Sequence, residues 1–151
     1  GTLDYKWARL FNVYGPNERE ARLMPSVIIS CLKGKDVEVS TCTKYQDYLH
    51  VEDIAGGIVA LFDSDVKGAV NICSGQPVQL RAIVEKIAQL TDFKGKILWG
   101  AVPTYFEEPL IVGNNARLKN EVKFIPKYSL EDGLKDTINW WKEEINVQQC
   151  V

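Results

Sequence analysis

Histidine occurs once in this chain, at position 50, and methionine once, at position 24. The cysteines, Cys31, Cys42, Cys73 and Cys150, form no C-x-x-C pair, and His50 is remote from all of them in sequence. That pattern argues against a zinc centre and against a disulfide framework, so free thiols in a reducing compartment are expected. No apolar run reaches the ~20 residues that span a bilayer, and the first residues lack the basic-then-apolar pattern of a leader. A cytoplasmic protein with no membrane partner is the resulting expectation. Charge of one sign is missing too. With a formal net charge of -2 and scattered basic residues, there is no electrostatic footprint for nucleic acid. Internal repeats, low-complexity segments and a clear linker are likewise absent.

What is present is an ordinary globular composition: 151 residues, 46% hydrophobic and 25% charged, enough for one sizeable core and a single unit over 1–151. Elements alternate. The apolar run Trp7 to Tyr14 predicts a strand covered on both faces, stopping at Gly15-Pro16. Residues 20–33 carry Met24, Val27, Ile28 and Cys31 at helical spacing, with Gly34 as a terminal cap. Val37 to Ser40 and Thr43 to Leu49 read as strands, the second running into a helix at Val51 with Glu52 and Asp53 in its first turn. A stripe of Val51, Ile54, Ala55, Ile58, Leu61 and Phe62 follows.

Ala69 to Cys73 predicts a second buried strand, ahead of a helix striped by Leu80, Ile83, Val84, Ile87, Ala88 and Thr91. Lys96 to Trp99 and Leu110 to Val112 are short strands, and Ala116 to Glu121 is a helical turn. Ser129 with Asp132 three residues on reads as a capping box for a last helix through Trp141. Residues 100–115 are the most irregular stretch, the place for a ligand loop.

Two strand ends carry polar clusters. RLFNVYGP (9–16) ends in Asn12, Tyr14, Gly15 and Pro16, and ligands of open α/β sheets bind at the carboxyl ends of strands. Taken alone, that cluster reads more simply as a turn whose polar groups satisfy the backbone. YQDYLHVED (45–53) places an aromatic strand, a histidine and two acids at the mouth of a helix.

In order, RLFNVYGP, RLMPSVI, YQDYLHVEDIAGGIVALF, AVNICSGQPVQLRAIVEKIA and RLKNEVKFIPKYSLEDGL resemble the C-terminal half of the extended short-chain dehydrogenase/reductase family, the NAD(P)-dependent nucleotide-sugar epimerases, dehydratases and reductases. The likeness runs from about Trp7 to Trp141. It implies an α/β fold, the C-terminal part of a Rossmann-like sheet (two strands plus helices) with the small substrate-binding domain. It also implies that Asn12, Arg22, Leu23 and Met24 contact a nucleotide-sugar, with Gln46 and Phe106 at positions flanking the diphosphate. Asp47, His50 and Asp53 match family positions that pin the strand-to-helix corner, a structural role.

The departures are specific. Gln46 and Phe106 stand where resembling enzymes often carry arginine, and neither side chain makes the charge-assisted bidentate contact with phosphate, worth roughly 1.5 to 3 kcal/mol. Arg19, Arg22 or Arg117 are the candidates to compensate. A Gly-x-x-Gly-x-x-Gly turn and a Tyr-x-x-x-Lys pair do not occur. Gly56-Gly57 sits in a helix stripe and reads as close packing, and Tyr5-Lys6 has the wrong spacing. The resemblance thus implies the substrate-binding portion of an enzyme whose NAD- or NADP-binding half lies elsewhere, inactive as this chain, with no cofactor held firmly, no catalytic base and no metal. Expected partners are a nucleotide-sugar and either a homodimer mate or the N-terminal half. A different reading is a short non-catalytic binding or dimerisation module. The Cys73-Ser74-Gly75 run lacks a neighbouring base and is a weak nucleophile candidate.

Overall fold

In the computed structural model, residues 4–104 and 110–149 are described. The order is β1 (Lys6–Leu10), β2 (Asn12–Tyr14), α1 (Leu23–Leu32), β3 (Val37–Val39), β4 (Tyr45–His50), α2 (Val51–Asp63), β5 (Gly68–Ile72), β6 (Pro77–Gln79), α3 (Leu80–Leu90), β7 (Ile97–Trp99), β8 (Leu110–Ile111), α4 (Ala116–Asn120) and α5 (Leu130–Gln149). Parallel pairing dominates. β1 pairs with β5, β2 with β4, β3 with β7 and β8 with β4, while β6 alone runs antiparallel, against β4. This is an α/β fold with parallel sheets.

Each helix forms where the apolar spacing places it. α1 closes with a Schellman arrangement in which Gly34 N–H donates to the Cys31 carbonyl at 3.1 Å and Lys35 N–H to Ser30 at 3.0 Å. At the start of α5, Ser129 Oγ accepts from Asp132 N–H at 3.1 Å and donates to its carboxylate at 2.7 Å. The Ser/Asp spacing does cap the helix, though the acid closes on the hydroxyl rather than on backbone. α5 continues past Trp141 to Gln149, although the face it buries runs only through Leu134, Ile138 and Trp141.

Two cores result. Met24, Val27 and Ile28 of α1 pack with Val37, Val39, Ile83, Ile87, Leu134 and Ile138. Ile54 and Leu61 of α2 pack with Leu49, Val70, Ile72 and Leu118. Gly57 lets α2 approach β5, since a Cβ there would lie 2.9 Å from Ile72 Cγ2, and the helix-stripe glycines are filled by protein: Gly56 faces the Phe124 ring.

The first strand departs from expectation. Trp7 to Tyr14 is two strands broken at Phe11, and the first is not covered: Trp7 is 63% and Leu10 48% exposed. An uninterrupted apolar run signals burial only when sheet neighbours and a covering layer flank it, and among the described residues β1 pairs with β5 alone. α2 covers β1 only in part: Ala8 packs against the core of Ile54 and Leu61, and Lys6 Nζ donates to the carbonyls of Phe62 and Ser64 at the helix end. β6 was not foreseen. It is three residues long and opens on Pro77, a position where proline costs no ladder bond.

The corner at the end of β4 is held by buried polar groups. Asp47, fully buried, accepts from Ser74 N–H (2.9 Å), Ser74 Oγ (2.6 Å), Gly75 N–H (2.8 Å) and Gly113 N–H (3.1 Å). Asp53 accepts from the N–H groups of Lys127 (2.8 Å) and Tyr128 (2.9 Å). His50 caps α2, its Nδ1 accepting from Glu52 N–H at 3.4 Å, and its ring stacks on Tyr128 at 4.0 Å between centroids. Its Nε2 is 3.2 Å from Asp136 Oδ2, out of line for a hydrogen bond. Gly15, at φ +145°, leaves room for this corner, because a Cβ would strike Val51 Cγ1 at 2.6 Å. Replacing Asp47 by Ala strands three backbone donors, each costing about 1 to 3 kcal/mol. Asp47→Ala is expected to lower the urea midpoint by the equivalent of roughly 3 to 5 kcal/mol or to prevent folding, measured against wild type in a far-UV denaturation series.

Candidate functional site

Strand alternation sorts the residues of β4. Gln46 and Tyr48 point to one side and Asp47 and Leu49 to the other, so the side of Gln46 is free to face a cavity. That cavity has a volume of ≈ 370 Å³ and is lined by Asn12, Glu18, Ala21, Arg22, Leu23, Met24, Ser40, Gln46, Tyr48 and Leu80. Of the residues expected to contact ligand, the structure brings Asn12, Arg22, Leu23, Met24 and Gln46 together around this one space, and Phe106 lies outside the described residues.

Local forces set each group. Asn12 Nδ2 donates to the Asp47 carbonyl at 3.2 Å, which fixes the amide across the β2–β4 pair. Gln46 Oε1 accepts from the Tyr48 hydroxyl at 3.0 Å. Burial pushes the Tyr48 phenol up to about 12, and the nearby charge of Glu18 adds to the shift, so Tyr48 is a neutral donor and no base. Arg22 is the N-cap of α1, without a side-chain capping bond and with no acid in the first turn. Leu23 and Met24, the first two residues of α1, line the cavity together with Arg22, which brings the positive end of the helix dipole to its wall, a combination suited to an anion, although Pro25 has no N–H to add.

Glu18 was missed by sequence reasoning. In the run Asn17-Glu18-Arg19-Glu20 it reads as one acid of a solvated loop; its spacing of four to Arg22 was the available signal. Its side chain is 16% exposed, and Arg22 Nε lies 3.5 Å from Oε1 while Arg22 itself is 60% exposed. Oε2 is buried without a hydrogen-bond partner. Desolvation raises the Glu18 carboxyl above the ordinary carboxylate range, and Arg22 opposes that shift without cancelling it.

Compensation by Arg117 does not occur: its guanidinium is tied to the carbonyls of Ala69 (2.6 Å) and Lys67 (3.1 Å) and to Glu121 (2.8 Å). Arg19 is not among the residues that line the cavity. Asp47, His50 and Asp53 sit on the corner and not in this space. A second, larger cavity of ≈ 710 Å³ opens beside that corner, between Gln76, Asn115, Lys119, Phe124 and Tyr128. Cys73 is no nucleophile, because burial, with the Asp47 charge behind it, lifts the thiol to about 11. Among the described residues there is no cluster of His, Cys, Asp and Glu able to hold a metal, and no helix long and apolar enough to cross a membrane.

Parallel strand pairs under helices, with a polar cavity beside strand ends, place the chain among the Rossmann-type α/β proteins. Residues 1–73 match the model of the NAD dependent epimerase/dehydratase family. The chain is 32% identical to the UDP-N-acetyl-alpha-D-glucosaminuronate decarboxylase of Bacillus cytotoxicus over 89% of its own length and 45% of that protein's. To GDP-L-fucose synthase 1 of Arabidopsis thaliana it is 30% identical, over 89% of this chain and 44% of that one. Among solved structures, dTDP-glucose 4,6-dehydratase from Bacillus anthracis in complex with NAD superposes with a TM-score of 0.85 at 26% identity, over 93% of this chain and 45% of that one. The same fold is seen in the UDP-glucose 4-epimerase of Thermotoga maritima with UDP-glucose, at a TM-score of 0.87 and 22% identity, over 95% and 47%. This chain is a partial-length relative of the NAD-dependent epimerase/dehydratase family, and it spans about half the length of the curated relatives it matches.

Family members bind NAD(P), whose pyrophosphate needs a close backbone approach at a glycine-rich turn. The closest glycines, Gly56 and Gly57, are occluded by Phe124 and Ile72, so they offer no backbone cradle for a pyrophosphate. Gly56-Gly57 is therefore a helix-packing pair and not the glycine turn of a dinucleotide site.

The buried, half-neutralised charge of Glu18 predicts a stability effect. A raised folded-state pKa means that stability is greatest below the unfolded pKa and falls as pH rises through the folded one. Glu18→Gln is expected to melt higher than wild type at about pH 7.5, with the difference shrinking as pH falls through the raised folded-state pKa and vanishing once the carboxyl is protonated in both states. Thermal unfolding of both chains across that range checks it.

Proposed function

We propose that this chain is the C-terminal, nucleotide-sugar-binding portion of an NAD(P)-dependent epimerase, dehydratase or reductase, and that it is inactive by itself because the cofactor site and the catalytic base belong to another segment. The observation that carries the reading is the convergence of Asn12, Arg22, Leu23, Met24 and Gln46 on one cavity at the uncapped N-terminus of α1. In this reading Arg22 and the first N–H groups of α1 hold the diphosphate, while the Asn12 and Gln46 amides orient the sugar side. Gln46 in place of an arginine leaves Arg22 as the cation of the cavity, so the hold is weaker than a two-arginine clamp would give.

The test is a calorimetric titration of the intact chain with UDP-glucose, GDP-mannose and dTDP-glucose, with inorganic phosphate as the comparison. Saturable binding of at least one nucleotide-sugar, weakened about tenfold or more by Arg22→Ala as expected for loss of a charge-assisted contact, supports the proposal. Absence of binding to all three overturns it. The same chain incubated with NAD and UDP-glucose is expected to return the nucleotide-sugar unchanged by chromatography, the readout suited to reactions that hand the hydride back and leave no net reduced nicotinamide, and conversion of the sugar would refute inactivity.

A second reading, a module that pairs through its sheet, is favoured by the exposed edge at β1 with Trp7 and Leu10 uncovered. Sedimentation at micromolar concentration decides it. A monomer removes the dimerisation module, whereas a dimer dispersed by Trp7→Lys supports it.

A further inference from the structure

Glu18 is an odd residue for the wall of an anion-binding cavity. The residues that line the space carry one cation, Arg22, and one anion, Glu18. Arg22 Nε is 3.5 Å from Glu18 Oε1, so the guanidinium is already partly neutralised before any ligand arrives. The other oxygen, Oε2, is buried and has no donor. Leaving a buried carboxylate oxygen unpaired is costly, more so than for a neutral acceptor, and of the neighbouring wall groups Tyr48 spends its hydroxyl proton on Gln46. What Oε2 lacks is an O–H or N–H donor, and what it repels is a second negative charge.

We infer that Glu18 is a charge filter: the cavity admits a nucleotide-sugar whose sugar is neutral and rich in hydroxyl groups and discriminates against one bearing a carboxylate. This rests on the proposed nucleotide-sugar binding, and it adds the substrate class. A sugar hydroxyl at this wall offers a donor to the Glu18 carboxylate and carries no charge against it. A uronate offers no proton there and sets like charges against each other in a partly desolvated space, a juxtaposition that costs enough to dominate selectivity. Arg22 cannot relieve that repulsion fully, because it is shared between Glu18 and the diphosphate. Sorting neutral sugars from acidic ones is thus assigned to a residue that contributes no attraction to the diphosphate.

The experiment compares UDP-glucose with UDP-glucuronate, which share a nucleotide and differ at one sugar carbon, by titration calorimetry on the intact chain. Wild type is expected to bind UDP-glucose about tenfold or more tightly than UDP-glucuronate, the scale of one close like-charge contact. Glu18→Gln is expected to bring the ratio to within about threefold, mainly by tightening UDP-glucuronate. Glu121→Gln, which removes an acid paired with Arg117 away from the cavity, controls for overall charge and is expected to keep the wild-type ratio. Equal affinity of wild type for the two ligands, or an unchanged ratio in Glu18→Gln, overturns the charge filter and leaves nucleotide-sugar binding intact. A ratio that collapses equally in Glu121→Gln overturns it as well, since net charge is then the cause. Binding of neither ligand overturns the underlying proposal together with this one. The wild-type ratio stands as a test even where the variant fails to fold.

Discussion

One buried carboxylate organises the region around the candidate site. Asp47 collects four donors, from Ser74, Gly75 and Gly113, and so joins the end of β4 to the turn after β5 and to the segment after β8. A fully buried carboxylate is tolerated only when its lone pairs are taken, which makes the arrangement nearly all-or-none. The backbone carbonyl of the same residue receives the Asn12 amide. The group that fixes the corner thereby fixes one wall of the cavity.

The period of β4 separates scaffold from site. Leu49 faces the core under α2, and Tyr48 packs against the core under α1. Since side chains alternate, a shift of one residue in the β2–β4 register would carry Gln46 and Tyr48 away from the cavity and bring Asp47 into it. Three further devices resist that slip. Asp53 holds the 127–128 segment by two N–H bonds, His50 caps α2, and the Tyr128 ring closes over His50. The strand-to-helix corner is held because the carboxylates of Asp47 and Asp53 are satisfied by backbone from three other parts of the chain.

Much of this was legible in the sequence. The helices follow from apolar spacing, since a stripe such as Ile83, Val84 and Ile87 has few alternatives. Asn12, Arg22, Leu23, Met24 and Gln46 came from ordered motifs, and the chain folds them around one space. What escaped has physical causes. β6 has three residues, too short for periodicity, and derives its conformation from pairing with β4. Phe11 breaks the first strand because the two halves of that run pair with different partners, β5 and β4. Trp7 and Leu10 looked buried because hydrophobicity reports what a residue favours, whereas exposure depends on what lies beside it. Glu18 escaped because a loop acid is usually solvated, and nothing local reveals that it shares a cavity wall with Tyr48 and Gln46.

Two features of the isolated chain oppose its stability, and they lie on different surfaces. The uncovered apolar side chains, Trp7 and Leu10 on β1 and Phe62 at 77% exposure on α2, leave favourable burial unused. The unpartnered Glu18 oxygen withholds a hydrogen bond inside a cavity. The first involves both faces of a strand at an open sheet edge, since Trp7 and Leu10 alternate on β1. The second is one buried acceptor in the wall of a space of ≈ 370 Å³. The two proposed partners would act on different deficits, a second sheet edge on the first and a nucleotide-sugar on the charge balance of the cavity, so a substitution at Trp7 and one at Glu18 lie far enough apart in kind to be read independently.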